Sequence, residues 1–341
     1  MEGASQIPRV TAIVAARNAA STLARCLDAL LAQSYGSEVI VVDDCSTDET
    51  CEIAARYPVS LIKQPRHLGV SAARNLGARA AHAPVLFFLD ADVVIHRGGL
   101  ERALVTMSRP EIGAVIGSYD ADPADPSIVS QFKNLTHHYF HQRSNAEATT
   151  FWGACGMIRR ECFLAVGGFD EKRFTLPSVE DVELGYRLVR QGTRIVLDRD
   201  LQVKHLKRWT LWSLIATDVS RRAVPWTLLW LEHRQLPSDL NFSIDQRLAA
   251  IVSITGLMAT LLAVLEPRVW IVVLALAGAA FWLNRGLYRL LFTKGGLRLA
   301  ISGFFLQQLF YLYSLAGLSL GLVIHFAARF RSAEVCDLRE S

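Results

Sequence analysis

The chain lacks the features that identify a disulfide-stabilised, zinc-binding or nucleic-acid-binding protein. Its six cysteines form no CxxC pair and show no zinc-ligand spacing, so we interpret them as reduced, mostly buried thiols. Residues 1–8 are polar and contain no apolar run or cleavage site of a signal peptide, and we therefore expect a cytoplasmic N-terminal domain. The formal net charge of +4 is small and no basic run occurs, which argues against nucleic acid as a partner.

Charged residues are also scarce in the C-terminal third. Hydrophobic residues make up 51% of the 341 residues, and the mean hydropathy of +0.26 is high for a purely soluble protein. Short apolar runs alternate with amphipathic stretches over the N-terminal two thirds, whereas residues 248–326 are mostly apolar. This distribution predicts a soluble domain followed by a membrane region.

Three apolar segments predict about three transmembrane helices. Residues 248–265 and 299–324 carry no charge and approach or exceed the ~20 residues that span a bilayer. Residues 269–283 form a shorter segment, for which a buried core helix is the alternative.

Basic residues indicate how these segments are oriented. Four of them follow the middle segment with no acidic residue among them: Arg285, Arg289, Lys294 and Arg298. The positive-inside rule places this loop in the cytoplasm. Three spans would place the C-terminus outside, whereas Arg329 and Arg331 after the last segment favour the inside. The orientation of the last segment is therefore open.

The first two thirds of the chain alternate between strand and helix patterns. The predicted strands are residues 10–14, 39–42, 59–62, 85–89, 114–118, 155–158 and 195–197. The predicted helices follow a cap at Ser21 and a capping box at Ser46 and Glu49, and cover residues 70–80, 128–142 and 179–190. This alternation favours an α/β fold with a parallel, helix-covered sheet.

An acidic pair, Asp90 and Asp92, directly follows the buried strand at residues 85–89. Open parallel sheets bind their ligands at the carboxyl ends of the strands. Two carboxylates there can hold a divalent cation against phosphate oxygens. An acidic turn that closes a strand is the alternative for this tripeptide by itself.

The acidic pair is one of four motifs that occur in a fixed order. They are VIVVDDCSTD at residues 39–48, GVSAARNLG at 69–77, DAD at 90–92 and EDVEL at 180–184. This succession resembles family 2 glycosyltransferases with the GT-A fold, over about residues 8–209. A membrane-anchored subset of that family is similar, more loosely, over the C-terminal third.

The resemblance implies a division of the chain into four parts. Residues 1–208 would form a GT-A catalytic domain, Rossmann-like with a mostly parallel sheet. An amphipathic interfacial segment (209–243), transmembrane helices (244–330) and a polar tail (331–341) would follow.

The resemblance also implies a nucleotide-sugar site. Asp44 would accept a hydrogen bond from the base, Arg74 could reach the base or diphosphate, and Arg17 could stack where many relatives have a tyrosine. The alternatives are a helix-capping Asp44 and an Arg74 on a solvated helix face.

Asp90 and Asp92 would bind the donor and Mg²⁺ or Mn²⁺, and Asp92 is the expected direct metal ligand. His205 lies where GT-A enzymes often carry a further metal ligand, and a structural histidine is its alternative.

The acidic motif at residues 180–184 implies the catalytic base. Asp181 is the candidate, and Glu180 could orient acceptor hydroxyls. A carboxylate at a helix start is also a stabilising cap with a lowered pKa, so a basic role requires desolvation or the acceptor to raise that pKa. Gly153 and Gly156 resemble the family's acceptor loop, where the absence of side chains lets a sugar approach the backbone.

The segment from His205 to Trp209 resembles the QxxRW element of processive members, with His in place of Gln. Arg208 could neutralise phosphate, and Trp209 offers a face for a sugar or an anchor at the membrane interface. Tryptophan and arginine are mixed over residues 209–242, which suits helices at the cytoplasmic membrane surface. An ordinary amphipathic helix packed on the domain is the alternative.

The motifs and the resemblance together predict a metal-dependent glycosyltransferase, and the resemblance implies that it inverts the sugar configuration. It would be an integral protein of the cell (inner) membrane with a cytoplasmic catalytic domain and with membrane lipids as partners. It would move a sugar from a nucleotide-diphosphate sugar to a lipid-linked or glycolipid acceptor. A processive polysaccharide synthase and a non-catalytic membrane scaffold on a degenerate GT-A domain are the alternatives.

Overall fold

The computed structural model describes residues 9–233 and 244–340, which divide into two compact units. The first unit comprises the chain up to Pro126 together with Lys133–Arg208. The second comprises Ser127–Phe132 and the chain from Trp209 onwards.

The first unit is an α/β structure. Its strands are β1 (Val10–Ala16), β2 (Glu38–Asp43), β3 (Ser60–Lys63), β4 (Val85–Asp90), β5 (Val93–Ile95), β6 (Ala114–Tyr119), β7 (Glu147–Ala148), β8 (Cys155–Arg159) and β9 (Ile195–His205). Its helices are α1 (Leu23–Leu31), α2 (Thr50–Ala54), α3 (Val70–Ala80), α4 (Gly99–Met107), α5 (Ile128–Arg143, whose first turn belongs to the second unit), α6 (Arg160–Ala165) and α7 (Glu180–Arg190).

The strands form one sheet in the order β3-β2-β1-β4-β8-β6-β9-β5, and β7 also pairs with β9. The pairs β3–β2, β2–β1, β1–β4 and β6–β9 are parallel. The pairs β4–β8, β8–β6, β9–β5 and β7–β9 are antiparallel. The prediction of a mostly parallel sheet is therefore wrong in this respect, and the sheet is mixed. A buried apolar run such as β8 does not encode its direction, so the pattern alone could not reveal the reversal.

The central strand β4 is apolar throughout because helices cover both faces of the sheet. Phe87 and Leu89 pack into one buried layer together with residues of α1 and α4. Leu86 and Phe88 pack into the layer on the other face with residues of α3 and α7. Two continuous cores thus fix the carboxyl end of β4, where the acidic pair begins.

The loops after β1 and β2 are joined by polar side chains, among them Ser46, for which a helix-capping role was predicted. Helix α1 begins at Leu23 without a side-chain cap, so the predicted Ser21 cap is wrong. The predicted capping box at Ser46 is also absent. The Ser46 hydroxyl instead accepts a hydrogen bond from the Asn18 amide at 2.9 Å, and the Asp48 carboxylate accepts one from the Ala20 amide at 3.1 Å. These side chains therefore bind one loop to the other.

One predicted helix has the predicted bounds, whereas one predicted strand is longer than expected. The helix predicted over residues 70–80 is confirmed as α3. The strand predicted over residues 195–197 continues to His205 as β9. Polar residues in the middle of β9 interrupt its apolar pattern, and one of them, Asp198, accepts two hydrogen bonds from Arg102.

The second unit is helical over the part of the chain that is described. It contains α8 (Leu211–Thr217), a π-helical turn (Asp218–Ala223), α9 (Val224–His233), α10 (Ile244–Ala263), a 3₁₀ turn (Pro267–Val269), α11 (Trp270–Leu283) and α12 (Arg285–Glu340). Helix α12 is interrupted at Gly295 and Gly296, where the backbone is not helical. Residues 234–243 of the predicted interfacial segment lie outside the described residues.

Two helices of the described chain are long and apolar enough to cross a membrane: Ile244–Ala263 and the stretch Arg285–Arg329 of α12. The middle predicted segment, Pro267–Leu283, is apolar but shorter. About three spanning helices were predicted, and two helices of the described chain have the length and composition that a membrane span requires.

Gly69 provides a test of the packing that positions α3. Its φ is +97°, and an added Cβ would lie 2.2 Å from the Thr175 carbonyl oxygen. Gly98 has φ +76° with nothing within 4 Å of an added Cβ. We expect Gly98→Ala to cost about 1–2 kcal/mol from its backbone conformation alone. Gly69→Ala should lower the thermal unfolding midpoint of the full-length protein distinctly more, and equal effects would contradict this packing.

Candidate active site

The candidate site lies at the carboxyl ends of β1, β2 and β4, which are adjacent parallel strands. Their register places Ala16 beside Asp43 and Ala15 beside Asp90. The residues that follow these strands are therefore neighbours at one edge of the sheet, where ligands of open α/β sheets bind.

Asp44 is buried and holds the loop between β3 and α3. Its Oδ1 accepts a hydrogen bond from the Leu68 amide at 2.7 Å. Its Oδ2 accepts one from the Gly69 amide at 3.0 Å and contacts His67 Nδ1 at 2.7 Å. The alternative in which Asp44 caps the following helix is therefore wrong.

Arg17 and Asp44 are connected through His67, which the sequence analysis missed. Arg17 is exposed, and its Nη1 lies 3.0 Å from His67 Nε2. A neutral histidine that donates from Nδ1 to Asp44 and accepts at Nε2 from Arg17 satisfies both contacts, and this tautomer follows from its partners. The only sequence signal for His67 was its position directly before the GVSAARNLG motif.

Arg74 is buried between two carboxylates. Its Nη2 donates to Asp90 Oδ1 at 2.7 Å and its Nη1 donates to Glu180 Oε1 at 3.0 Å. Its guanidinium also lies 5.2 Å from the centroid of the Phe169 ring. The solvated-face alternative is wrong, because the side chain is only 5% exposed. The geometry also does not support a direct approach of Arg74 to the donor base, since its guanidinium already binds both carboxylates.

Glu180 uses both of its oxygens inside the protein. Oε1 accepts from Arg74, and Oε2 accepts from the Ser178 amide at 2.7 Å. Glu180 therefore positions Arg74 and the start of α7. These contacts do not test whether Glu180 also orients acceptor hydroxyls, which stays a prediction.

Asp181 is held by two backbone amides. Its Oδ2 accepts from the Gly153 amide at 3.1 Å, and its Oδ1 accepts from the Val182 amide at 2.9 Å. Burial and the nearby charge of Glu180 raise the pKa of Asp181 to about 7, against the lowering effects of Arg74 and the two amides. Desolvation thus supplies the rise in pKa that a basic role requires.

The two glycines of the predicted acceptor loop have structural roles that differ from the prediction. A Cβ on Gly153 would lie 2.7 Å from Arg74 Cζ, so the missing side chain makes room for the guanidinium. Gly156 lies within β8 opposite Phe88, and its Cβ would lie 2.4 Å from Phe151 Cζ. Gly156 therefore serves core packing, and the prediction that it binds an acceptor is corrected.

Asp92 and His205 are brought together by the antiparallel pairing of β5 with β9, which places Val93 opposite His205. His205 Nε2 lies 3.5 Å from Asp92 Oδ2. Burial raises the pKa of Asp92, but the hydrogen bond and charge of His205 outweigh it, so the pKa lies below its usual value.

Asn134 on α5 orients His205, a role that no sequence pattern indicates. The buried Asn134 Oδ1 lies 2.9 Å from His205 Nδ1. The amide oxygen can only accept, so it holds an imidazole proton on Nδ1 and fixes the ring orientation that turns Nε2 towards Asp92. The ring of Tyr119 stacks on His205 with centroids 4.5 Å apart.

These residues fit a divalent cation only in part. Within residues 9–233 and 244–340 no group of three or more His, Cys, Asp or Glu side chains is arranged to hold a metal. Asp92 and His205 offer one oxygen and one nitrogen, whereas Asp90 contacts Arg74. A two-residue site suits a cation that takes its remaining ligands from substrate phosphates and water.

An aromatic and histidine cluster, which the sequence analysis also missed, lies beside His205. His137 and Trp152 have ring centroids 5.2 Å apart, and both contact Tyr119. His141 packs against Trp152 at 5.1 Å, and burial lowers its pKa to about 4. His141 is therefore neutral near pH 7, and the cluster connects the Trp152 loop with the imidazole of His205.

The last two predicted residues belong to different units. Arg208 is 77% exposed, with its Nε 3.8 Å from Asp125 Oδ2. Trp209 is buried in the second unit, where its amide donates to Ser130 Oγ at 2.7 Å and Arg222 covers its ring. The prediction that Trp209 offers a free face to a sugar or a membrane is therefore wrong.

Comparison with known proteins gives a consistent family. The model of glycosyl transferase family 2 matches residues 11–167. The pre-mycofactocin glycosyltransferase of Mycobacterium tuberculosis is 31% identical over 61% of this chain and 44% of its own length. The validoxylamine A glucosyltransferase of Streptomyces hygroscopicus subsp. jinggangensis is 30% identical over 59% of this chain and 56% of its own. The chain thus spans about half the length of the curated relatives it matches.

A solved structure agrees with the fold. The mannosyltransferase PcManGT from Pyrobaculum calidifontis, in complex with GDP-Man and Mn²⁺, superposes with a TM-score of 0.58 at 20% identity. The match covers 92% of this chain and 87% of that protein. The likeness supports the GT-A fold.

The buried ion pairs of Arg74 can be tested by unfolding. We expect Arg74→Met to lower the free energy of unfolding by about 3–5 kcal/mol, because it leaves two buried carboxylates without a cation. The matched control is Arg79→Met on the same helix, where the side chain is 58% exposed and lies 3.9 Å from Glu171. This exposed pair should contribute less than about 1 kcal/mol. Urea unfolding of the full-length protein measures both, and similar values would contradict the assignment.

Proposed function

Since residues 11–167 belong to glycosyl transferase family 2, we propose that the chain is an inverting glycosyltransferase that uses a nucleoside-diphosphate sugar and a divalent cation. The observation that carries the proposal is the Asp181 carboxyl, whose pKa of about 7 suits a general base at neutral pH. It lies beside Arg74 and Glu180, at the strand ends where the donor would bind.

The donor base would bind at Asp44. A carboxylate offers about four acceptor positions, and three are used by the Leu68 and Gly69 amides and by His67. One position on Oδ1 remains for an N–H of the base. Arg17, exposed and next to His67, would stack on the base or contact the ribose.

Asp92 and His205 would hold Mg²⁺ or Mn²⁺. Their oxygen and nitrogen atoms lie 3.5 Å apart, and the structure of PcManGT is a complex with Mn²⁺. When bound, the cation would neutralise charge on the departing diphosphate. Asp90 would hold Arg74 in place through their ion pair, so we do not propose it as a direct ligand of the cation. The exposed Arg208 would contribute further positive charge for phosphate.

The transfer would be a direct displacement. The acceptor hydroxyl oxygen forms a bond to the anomeric carbon while the bond from that carbon to the diphosphate oxygen breaks. The hydroxyl proton moves to Asp181. Its carboxylate is fixed by the Gly153 and Val182 amides, so it needs little reorganisation to accept that proton.

The acceptor would be lipid-linked and the protein would be integral to the membrane, with the catalytic unit on the cytoplasmic side. Two helices with the length and composition of membrane spans support this, as do the basic residues after α11. Single transfer is favoured over a processive synthase because Trp209, the last residue of the QxxRW-like element, is buried in the second unit.

A direct test uses the purified protein in lipid, a panel of nucleotide sugars, and Mn²⁺ or Mg²⁺, with and without added lipid extract. We expect metal- and lipid-dependent release of a nucleoside diphosphate. Asp181→Asn should reduce the rate by about 10²–10⁴-fold. Glu161→Gln, which changes an exposed carboxylate on α6, should leave it unchanged. If no donor binds or turns over, the scaffold alternative is supported instead.

The pH dependence of the same reaction tests the role of Asp181. Its folded pKa is raised to about 7, so the carboxylate needed to accept a proton is lost as the pH falls through 7. We expect kcat/KM to fall about tenfold per pH unit below that value. A flat profile down to pH 5 would exclude Asp181 as the base.

Asn134 can be tested through metal affinity. Loss of its hydrogen bond should let the His205 ring turn, and we expect Asn134→Leu to weaken Mn²⁺ binding about 10–100-fold. The control is Thr136→Val on the same helix, whose hydroxyl has no hydrogen-bond partner among the described residues. Electron paramagnetic resonance of free Mn²⁺ with protein and nucleoside diphosphate measures both variants. Unchanged affinity in Asn134→Leu would contradict this role.

A further inference from the structure

The second unit contains an apolar cavity formed by α11 and the two limbs of α12. The limbs, on either side of Gly295–Gly296, pack against each other, and Tyr288 on the first lies 5.7 Å from Phe304 on the second. Phe281 at the end of α11 stacks on Tyr288 at 5.3 Å. The cavity has a volume of about 640 Å³, and its walls include Ala300 and Phe305.

Two arginines, Arg285 and Arg289, also line this cavity, almost entirely with the apolar atoms of their side chains. They are one helical turn apart, so they lie on the same face of α12. Arg285 lies over the Trp282 ring at 4.3 Å and donates to the Trp282 carbonyl at 2.8 Å, which fixes its guanidinium. Arg289 has no carboxylate partner among the residues whose side chains are described. The described part of the chain therefore offers no carboxylate to Arg289, and the Arg285 guanidinium lies on Trp282, which does not line the cavity.

The surrounding sequence supplies no counter-ion. Between Glu266 and Glu334 the chain has no acidic residue, and it has several cations: Arg268, Arg285, Arg289, Lys294, Arg298, Arg329 and Arg331. A soluble anion would satisfy the arginines but would supply no apolar surface to cover the aromatic walls. A neutral lipid would cover the walls but leave the arginines unpaired. An occupant that fits both has an anionic head and a hydrocarbon chain.

We propose that this cavity binds an anionic phospholipid. Its phosphate would lie between Arg285 and Arg289, and an acyl chain would lie among Phe281, Tyr288 and Phe304. Arginine suits this contact because its guanidinium can bind phosphate through two parallel hydrogen bonds. The proposal rests on the membrane location proposed above and not on the transfer chemistry.

The test is native mass spectrometry of the full-length protein in detergent, titrated with phosphatidylglycerol or with phosphatidylcholine of the same acyl chains. We expect the anionic lipid to bind at least about tenfold more tightly. The double variant Arg285→Gln/Arg289→Gln should lose this preference. Arg268→Gln removes a cation of the same region that does not line the cavity, and it should retain the preference. Equal binding of both lipids to the wild type would overturn the proposal.

A second variant distinguishes a lipid bound inside the cavity from a lipid that is only attracted by the positive charge of the region. Ala300→Phe keeps both arginines but fills the cavity, so we expect it to lose about as much phosphatidylglycerol binding as the double variant. Retained binding in Ala300→Phe would overturn the proposed seat. Glycerol phosphate, which has no acyl chain, should not compete, and full competition would indicate a free-phosphate site instead.

Sugar transfer and lipid binding can be lost independently of each other in these measurements. Asp181→Asn should abolish transfer and leave lipid binding unchanged, because it alters only the first unit. Arg285→Gln/Arg289→Gln should give an unchanged thermal midpoint, which verifies folding of the variant. Loss of lipid binding only together with a lowered midpoint would contradict a specific site.

Discussion

A single buried cation organises the candidate site. The guanidinium of Arg74 joins Asp90, at the end of β4, to Glu180, at the start of α7. Gly153 contributes by having no side chain, since a Cβ there would overlap the guanidinium. Asp181 follows Glu180 in the chain, and its carboxylate accepts a hydrogen bond from the backbone amide of Gly153. The strand end, the helix start and the intervening loop therefore depend on one side chain for their mutual positions.

This arrangement gives neighbouring carboxylates different properties. Burial and Glu180 raise the pKa of Asp181, whereas His205 keeps the pKa of Asp92 low. Asp92 is thus ionised at neutral pH and can act as a metal ligand, while Asp181 is half-protonated and can exchange a proton. Pairs of titratable groups whose surroundings separate their pKa values are typical of acid–base and metal chemistry in one site.

Much of the first unit follows from local patterns, and the exceptions have physical reasons. Helix α3 and strand β4 were predictable because their apolar periodicity reflects packing on both faces of the sheet. The antiparallel direction of β8 was not, since a buried strand reads the same in both directions. The motifs indicated Asp44, Asp92 and Asp181 as candidates. The burial of Arg74, the core position of Gly156 and the contact of Asn134 with His205 instead depend on residues distant in sequence. Such contacts have no signature in a single sequence.

The most direct measurement of this electrostatic arrangement is the titration of Asp181 itself. Infrared difference spectra between the wild-type protein and Asp181→Asn, recorded against pH, isolate the carboxyl band of this residue. We expect a midpoint near 7 in the wild type and a lower midpoint in Glu180→Gln, because that variant removes the neighbouring negative charge. A midpoint near the ordinary value for aspartate, unaffected by Glu180→Gln, would contradict the proposed arrangement of buried charges.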